Sequence, residues 1–193
     1  MPPPLILAST SRYRRALLDR LRLPYAAIPP ACDEEALKDP ALPADALAQR
    51  LALTKAASLA QAHPQAAIIG SDQVCELDGR ILHKPGTRER AIAQLSAMSG
   101  RTHRLHTAVA IVHPGGTLAH LETVALTMRA LDPDAIARSV DADQPLDCAG
   151  AYKLEAGGIV LFSRIDAADH DSIVGLPLLW LVAALAGLGY RLP

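Results

Sequence analysis

Two short, almost wholly apolar runs constrain this chain most: LILAS at 5–9 and AAIIGSD at 66–72. Each reads as a buried strand, and each runs straight into hydroxyl or carboxylate side chains. Buried strands need cover, which the segments around them supply. TSRYRRALLDRLRL has helical periodicity behind Thr10 and Ser11, whose hydroxyls mark its start. A second helix is expected from Ala44 to Gln61, closing before His63 and Pro64, and a third in TRERAIAQLSAMSG, with Gly100 as its terminator. A short helix at 132–140 and an apolar one within 173–190 complete the set. LPYAAIPP reads as extended, VCELDGRILHKP as a hairpin turning on Asp78 and Gly79, and 102–131 as two long strands joined at Gly115 and Gly116. DCAGAYKLEAGGIVLFSRIDA reads as another extended region. Strands and helices alternate without a strict βαβ rhythm, which predicts an α/β protein with a mixed central sheet flanked by helices.

At 193 residues the chain suits one core-sharing unit. Half of it is apolar but only 3% is aromatic, so the core must come from Leu, Ile, Val and Ala. A formal charge of -1 argues against a nucleic-acid coat or a membrane-surface protein, so any anion must be met by local charges. Cys32, Cys75 and Cys148 are odd in number and form no CxxC pair, which suits reduced thiols and a cytoplasmic location. MPPPLILAST has neither the basic start nor the length of a signal peptide. The stretch 173–190 approaches membrane-spanning length, but Pro177 and three glycines interrupt it. It is expected to be a buried helix with Pro177 in its first turn and no membrane partner.

Four places break the local pattern of polarity. At the first strand-to-helix junction, Ser9 and Ser11 flank a helix start, where N–H groups and the dipole attract phosphate. Arg14 shares the inward face of Leu17 and Leu18, whereas Arg15 pairs outward with Asp19. The planar fork of Arg14 suits phosphate oxygens, although a capped helix with a solvated basic end accounts for the same residues. Lys55 falls into the stripe of Leu47, Leu51 and Leu59, so it either snorkels at the rim or faces a polar cleft. Asp72 ends a strand behind Gly70 and Ser71, where strands deliver catalytic groups and where turn residues also sit. Lys84, at the return end of the hairpin, points toward the same region. Lys153 and Glu155 face the same way in extended chain, beside the close approach that Gly157 and Gly158 permit; a surface ion pair is the plainer alternative. His103 and His106 fall on opposite faces of a strand, against a shared metal, and DHD at 169–171 reads as a solvated turn.

Taken in order, these stretches resemble the Maf family of nucleoside triphosphate pyrophosphatases. The matching pieces are LILASTSRYRRALL, Asp33-Glu34, RLALTKA, IIGSDQV, HKP, LSAMSGRTHRLHTAVAI, CAGAYKLEAGGI and VGLPL, nearly the whole chain. The resemblance implies one Maf-like domain over 1–193 with an inosine-triphosphatase-like fold: a mixed twisted sheet, helices on both sides, and two lobes around a deep active-site cleft. Family members are often homodimers. It also implies hydrolysis between the α and β phosphates, giving a nucleoside monophosphate and pyrophosphate with help from Mg²⁺ or Mn²⁺. By motif, Asp72 matches the catalytic aspartate, Glu34 the acidic-loop carboxylate, Lys55 and Lys84 the two lysines, and Ser9 and Arg14 the phosphate-side serine and arginine. Asp72 and Glu34 would then ligate the metal, with Asp72 accepting the proton of the attacking water. Ser11 joins the phosphate side.

Many members read Ser-Pro-Arg-Arg where this chain has Ser11, Arg12, Tyr13 and Arg14. The aromatic Tyr13, with Gln73 and Glu155, looks like the branch acting on 7-methyl-GTP; the dTTP and UTP branch resembles Arg, Thr and Gln at these positions. Base chemistry agrees: N7-methylation makes guanine cationic, so a tyrosine face gains a cation–π contribution of ~0.5–2 kcal/mol. A carboxylate at Glu155 can accept both edge N–H groups of guanine. The expected function is removal of 7-methyl-GTP before it enters RNA. The alternatives are a dTTP/UTP pyrophosphatase and a non-catalytic nucleotide-binding regulator of cell division.

Overall fold

The computed structural model describes residues 2–37, 39 and 41–192, so Lys38 and Pro40 of the acidic loop lie outside it. The chain runs β1 (Leu5–Ala8), α1 (Arg12–Asp19), β2 (Ala26–Ile28), α2 (Ala44–Ala57), β3 (Ala67–Leu77), β4 (Arg80–Leu82) and α3 (Arg88–Met98). It continues through β5 (Thr102–His113), β6 (Gly116–Met128), α4 (Pro133–Asp143), a 3₁₀ turn (Gly158–Leu161), β7 (Phe162–Asp166), α5 (Asp171–Val174) and α6 (Leu178–Gly187). The strands form a seven-stranded mixed sheet in the order β2-β1-β3-β5-β6-β7, with β4 paired to β3. β1 is parallel to β2 and β3, whereas β4 and β7 are antiparallel to β3 and β6. The expected mixed α/β class is therefore the one observed.

The chain divides into two compact units. The first holds the residues up to Gln73, Thr107–Glu122 and those from Asp169 onward; the second holds Val74–His106 and Thr123–Ala168.

In the first unit the two-residue period of the strands sorts the core into two layers. Leu5, Leu7, Ala67, Ile69, Val109 and Ile111 pack with Leu17 and Leu18 of α1 and with Leu178, Leu181 and Leu185 of α6. Ile6, Ala8, Ile68 and Ala110 face the other way, onto Ala56 and Leu59 at the end of α2. Helix α2 buries Leu47, Leu51 and Lys55 in one row and Ala44, Ala48, Ala52 and Ala56 in the next. The alanine row lets the helix backbone lie directly on β3 at Gly70. A Cβ there would stand 2.2 Å from the Ala52 carbonyl oxygen and 2.5 Å from the Ala56 nitrogen. Gly70→Ala is accordingly expected to reduce stability by at least ~1–3 kcal/mol, read as a lower urea midpoint, because neither backbone can yield without moving the other.

In the second unit α3 and α4 pack together, and Arg88 grips Asp141 through two bonds of 2.6 and 2.7 Å. His103 is buried, with Nε2 2.9 Å from the Tyr152 hydroxyl. Burial pushes its pKa down to about 4. The unfolded chain takes up this proton near pH 6.5, so between pH 6.5 and 4 it binds more protons than the folded chain. Stability is thus expected to fall on acidification through that window, by about 3 kcal/mol at most from this group, and His103→Phe should flatten that part of a denaturation-versus-pH curve.

Several expected boundaries move. Helix α2 ends at Ala57, not Gln61, as its last bonds tighten to the three-residue pattern, with Ala60 N donating to Ala57 O at 3.0 Å. β3 does not stop at Asp72 but continues to Leu77, turning into β4 at Asp78 and Gly79, both with positive φ. The segment expected to be extended around Lys153 is instead a series of turns leading to the 3₁₀ turn, with Gly158 N donating to Lys153 O at 2.9 Å. Lys153 and Glu155 therefore do not share a strand face. The apolar stretch from 173 splits: α5 is separate, and Pro177, expected in the first turn of the terminal helix, sits one residue earlier as the cap of α6. Both depend on Asp169, which is buried and not a solvated turn residue. Its carboxylate accepts from Asp171 N at 2.9 Å and from Leu179 N at 2.7 Å. Among the described residues, no helix is long and apolar enough to cross a membrane.

Candidate active site

β3 carries the centre of the site, and its alternation determines what each neighbour does. Gly70 and Asp72 share the α2 face, whereas Ser71 and Gln73 point to the α5 side. Because β1 ends at Ala8, one residue past its last pair with β3, Asp72 projects beyond the edge of its parallel neighbour. The strand-end argument therefore holds for β1 even though β3 itself runs on.

Lys55 lies in the apolar row of α2 and is buried, because the contact at Gly70 holds the helix against the strand. Its ammonium does not snorkel to solvent. It donates to Asp72 Oδ1 at 2.6 Å and also meets Glu34 Oε2 at 2.9 Å. Two carboxylates from separate segments thus converge on one cation, and Glu34, 44% exposed, is the more accessible of the two. Carboxylate oxygens are the donor type that a hard divalent ion takes. Among the described residues no third His, Cys, Asp or Glu joins them, so an ion here would draw its remaining ligands from water and substrate phosphate, as Mg²⁺ commonly does.

The α1 entrance borders this pair. Ser9 is buried and its hydroxyl accepts from Ser11 N at 3.1 Å, while Ser11 caps the helix on Arg14 N. Each hydroxyl keeps its own hydrogen for donation. Arg14 donates through Nε to the Gly175 carbonyl at 3.1 Å. Burial pushes its guanidinium pKa down, and the charges of Asp72 and Glu34 push it back up. The expected inward direction of Arg14 is therefore observed. Tyr13 meets Arg12, whose Nη2 donates to the Tyr13 hydroxyl at 2.7 Å with Cζ 4.8 Å from the ring centroid.

Gln73 sits next to Asp72 in sequence but faces the other side. Its amide nitrogen lies 2.9 Å from Thr107 Oγ1, Ser172 O and Ile173 O, which commits its donors to the protein itself. Lys84 and Glu155 belong to the second unit, both exposed, Lys84 just after β4 and Glu155 in the turns after α4. Lys153, the expected companion of Glu155, instead donates to the Asp143 and Gln144 carbonyls at 2.9 and 3.0 Å and closes the end of α4. The first unit thus brings Ser9, Ser11, Arg14, Glu34, Lys55 and Asp72 into one region. Sequence reasoning assigned no role to Ser71, Thr107 or Gly175; the one local signal was a glycine ahead of Leu-Pro in IVGLP.

The family model for Maf-like proteins matches residues 4–188. The chain belongs to the Maf family. Over 191 residues it is 50% identical to a 7-methyl-GTP pyrophosphatase from Xanthomonas axonopodis pv. citri, with 99% of this chain and 100% of the relative covered. A 7-methyl-GTP pyrophosphatase from Bdellovibrio bacteriovorus is 46% identical over 177 residues, covering 92% of this chain and 93% of that one. Among solved structures, a HAM1 protein from Coxiella burnetii shares the fold with a TM-score of 0.51 at 14% identity, covering 96% of this Maf chain and 99% of that one.

Proposed function

We propose that this Maf chain is a nucleoside triphosphate pyrophosphatase that converts 7-methyl-GTP and water to 7-methyl-GMP and pyrophosphate. The observation that carries the chemistry is the Lys55 ammonium held between Asp72 and Glu34 at 2.6 and 2.9 Å. The pyrophosphatase relatives at about half identity support the substrate. Asp72 accepts a proton from water as the water oxygen attacks the α phosphorus, and the α–β bridging oxygen departs with pyrophosphate. Lys55 and Arg14 offset the negative charge that grows on that leaving group, and the HKP motif gives Lys84 the same role. Ser9 and Ser11 donate hydroxyl hydrogens to phosphate oxygens.

Charge balance supports a divalent cation. Arg14 and Lys55 are already matched by Asp72 and Glu34, so an incoming triphosphate brings negative charge that these four groups do not neutralise. Asp72 and Glu34 would hold Mg²⁺ or Mn²⁺, which supplies Lewis-acid polarisation of the phosphate. For the base, the Tyr13 face stacks on the cationic ring and Glu155 accepts its edge N–H groups. The cellular consequence is removal of a modified nucleotide before it reaches RNA.

A nucleotide panel tests this reading: 7-methyl-GTP, GTP, dTTP and UTP with Mg²⁺ or Mn²⁺, following pyrophosphate release. The highest kcat/KM is expected for 7-methyl-GTP. A higher value for dTTP or UTP would reverse the substrate assignment, and tight nucleotide binding without any product would favour a regulator in place of an enzyme.

A further inference from the structure

Arg14 is the phosphate-side cation of the proposed reaction, yet α1 alone leaves its long side chain free to swing. What holds it is a carbonyl on the far side of the sequence. Gly175 O accepts from Arg14 Nε at 3.1 Å and from Ser71 Oγ at 2.9 Å. The turn that presents this carbonyl is itself pinned to the sheet. Gln73 Nε2 reaches Ser172 O and Ile173 O, each at 2.9 Å, and Thr107 Oγ1 donates to Ser172 O at 2.8 Å. Ser71, Thr107 and Ser172 are fully buried, so these bonds face little competition from water. Gly175 has φ of 127°, and a Cβ there would stand 3.4 Å from Arg14 Nε, so a side chain would strain the turn and crowd the guanidinium.

We infer that Ser71 and Gln73, the β3 side chains flanking Asp72, are positioning residues that set the Arg14 guanidinium through the Ile173–Gly175 turn. The same strand thus fixes the catalytic carboxylate on one face and the phosphate-binding cation from the other. Holding Arg14 by Nε leaves both terminal nitrogens for phosphate oxygens, the bidentate use in which arginine exceeds lysine. An arginine set before the ligand arrives binds more tightly than one ordered on binding. Gln73 would then act on the phosphate side, whichever base is attached.

This rests on the reading of Arg14 as a phosphate ligand, and inorganic tripolyphosphate, which has no base, separates the two claims. Its affinity is to be measured by calorimetry at fixed Mg²⁺ for the wild type, Ser71→Ala, Gln73→Leu, Arg14→Ala and the double variant Ser71→Ala/Arg14→Ala, with melting temperatures alongside. Ser71→Ala is expected to weaken tripolyphosphate about three- to tenfold, the range of one net hydrogen bond, and to add nothing further in the Arg14→Ala background. Gln73→Leu is expected to weaken tripolyphosphate while leaving the kcat/KM ratio of 7-methyl-GTP to GTP unchanged. If Arg14→Ala weakens binding but Ser71→Ala and Gln73→Leu do not, or if the Ser71 effect persists in full without Arg14, the positioning role is refuted. If the wild type does not bind tripolyphosphate, or Arg14→Ala leaves its affinity unchanged, the phosphate-side reading of Arg14 fails and this inference falls with it. A Gln73→Leu variant that binds tripolyphosphate normally but loses the base ratio makes Gln73 a base reader instead.

Discussion

Asp72→Asn is expected to lower kcat for pyrophosphate release from 7-methyl-GTP by about 10²–10⁴-fold, the range that a positioned general base contributes. The substitution is close to isosteric, and the amide oxygen can still accept from the Lys55 ammonium now 2.6 Å from Asp72 Oδ1. Local geometry therefore survives, and what disappears is the negative charge that takes a proton and attracts a cation. Circular dichroism should remain that of the wild type, and the melting temperature should fall less than in Lys55→Met because the ammonium keeps Glu34 as a partner, which separates lost chemistry from lost fold. Near-wild-type turnover in the folded variant would remove Asp72 from the reaction.

Lys55→Met should affect both stability and activity. The ammonium is buried between Asp72, 14% exposed, and Glu34, 44% exposed. Methionine fits the space and the apolar row of α2, but it leaves two carboxylates facing each other with no cation between them. Removing one partner from a fully buried pair costs ~3–5 kcal/mol, and the exposure of Glu34 places the expected loss nearer ~2–3 kcal/mol, measured by urea denaturation. Turnover should fall about 10²-fold or more, because a charge opposite the leaving group acts in a water-poor site. The variant also reports on the metal: with the ammonium gone, Mn²⁺ should raise its melting temperature more than that of the wild type. An equal rise in both would place any divalent ion away from these two carboxylates.

How much of this was legible in the sequence varies with how local the cause is. The LILA strand, the Ser11-capped start of α1 and the Asp78-Gly79 turn rest on periodicity and turn chemistry within a few residues and appear where expected, although α1 stops at Asp19, short of the expected Leu23. The inward face of Arg14 followed from its spacing to Leu17 and Leu18. Lys55 was the ambiguous case, since a lysine stem in an apolar stripe satisfies either a rim or a polar interior. The contact of α2 with Gly70 decides it, bringing a residue 17 positions away in sequence within hydrogen-bond distance. The misreading of GAYKLEAGGI has the same origin. Its glycines permit both an extended approach and a turn, and the Asp143 and Gln144 carbonyls at the end of α4, which capture Lys153, select the turn.

Local pattern alone carries the mixed α/β class, the order of elements up to α4, the family resemblance, and the Asp72 carboxylate and Lys55 ammonium where an apolar pattern called for none. Those are properties of local period and residue type, which the chain carries before it folds. Folding alone puts Asp72 and Gln73, adjacent in sequence, to work on opposite faces: one meets the Lys55 ammonium that also holds Glu34, the other the turn that seats Arg14. The reason is that a strand alternates its side chains every residue, while the partners on each side arrive from distant segments whose register is set only by packing.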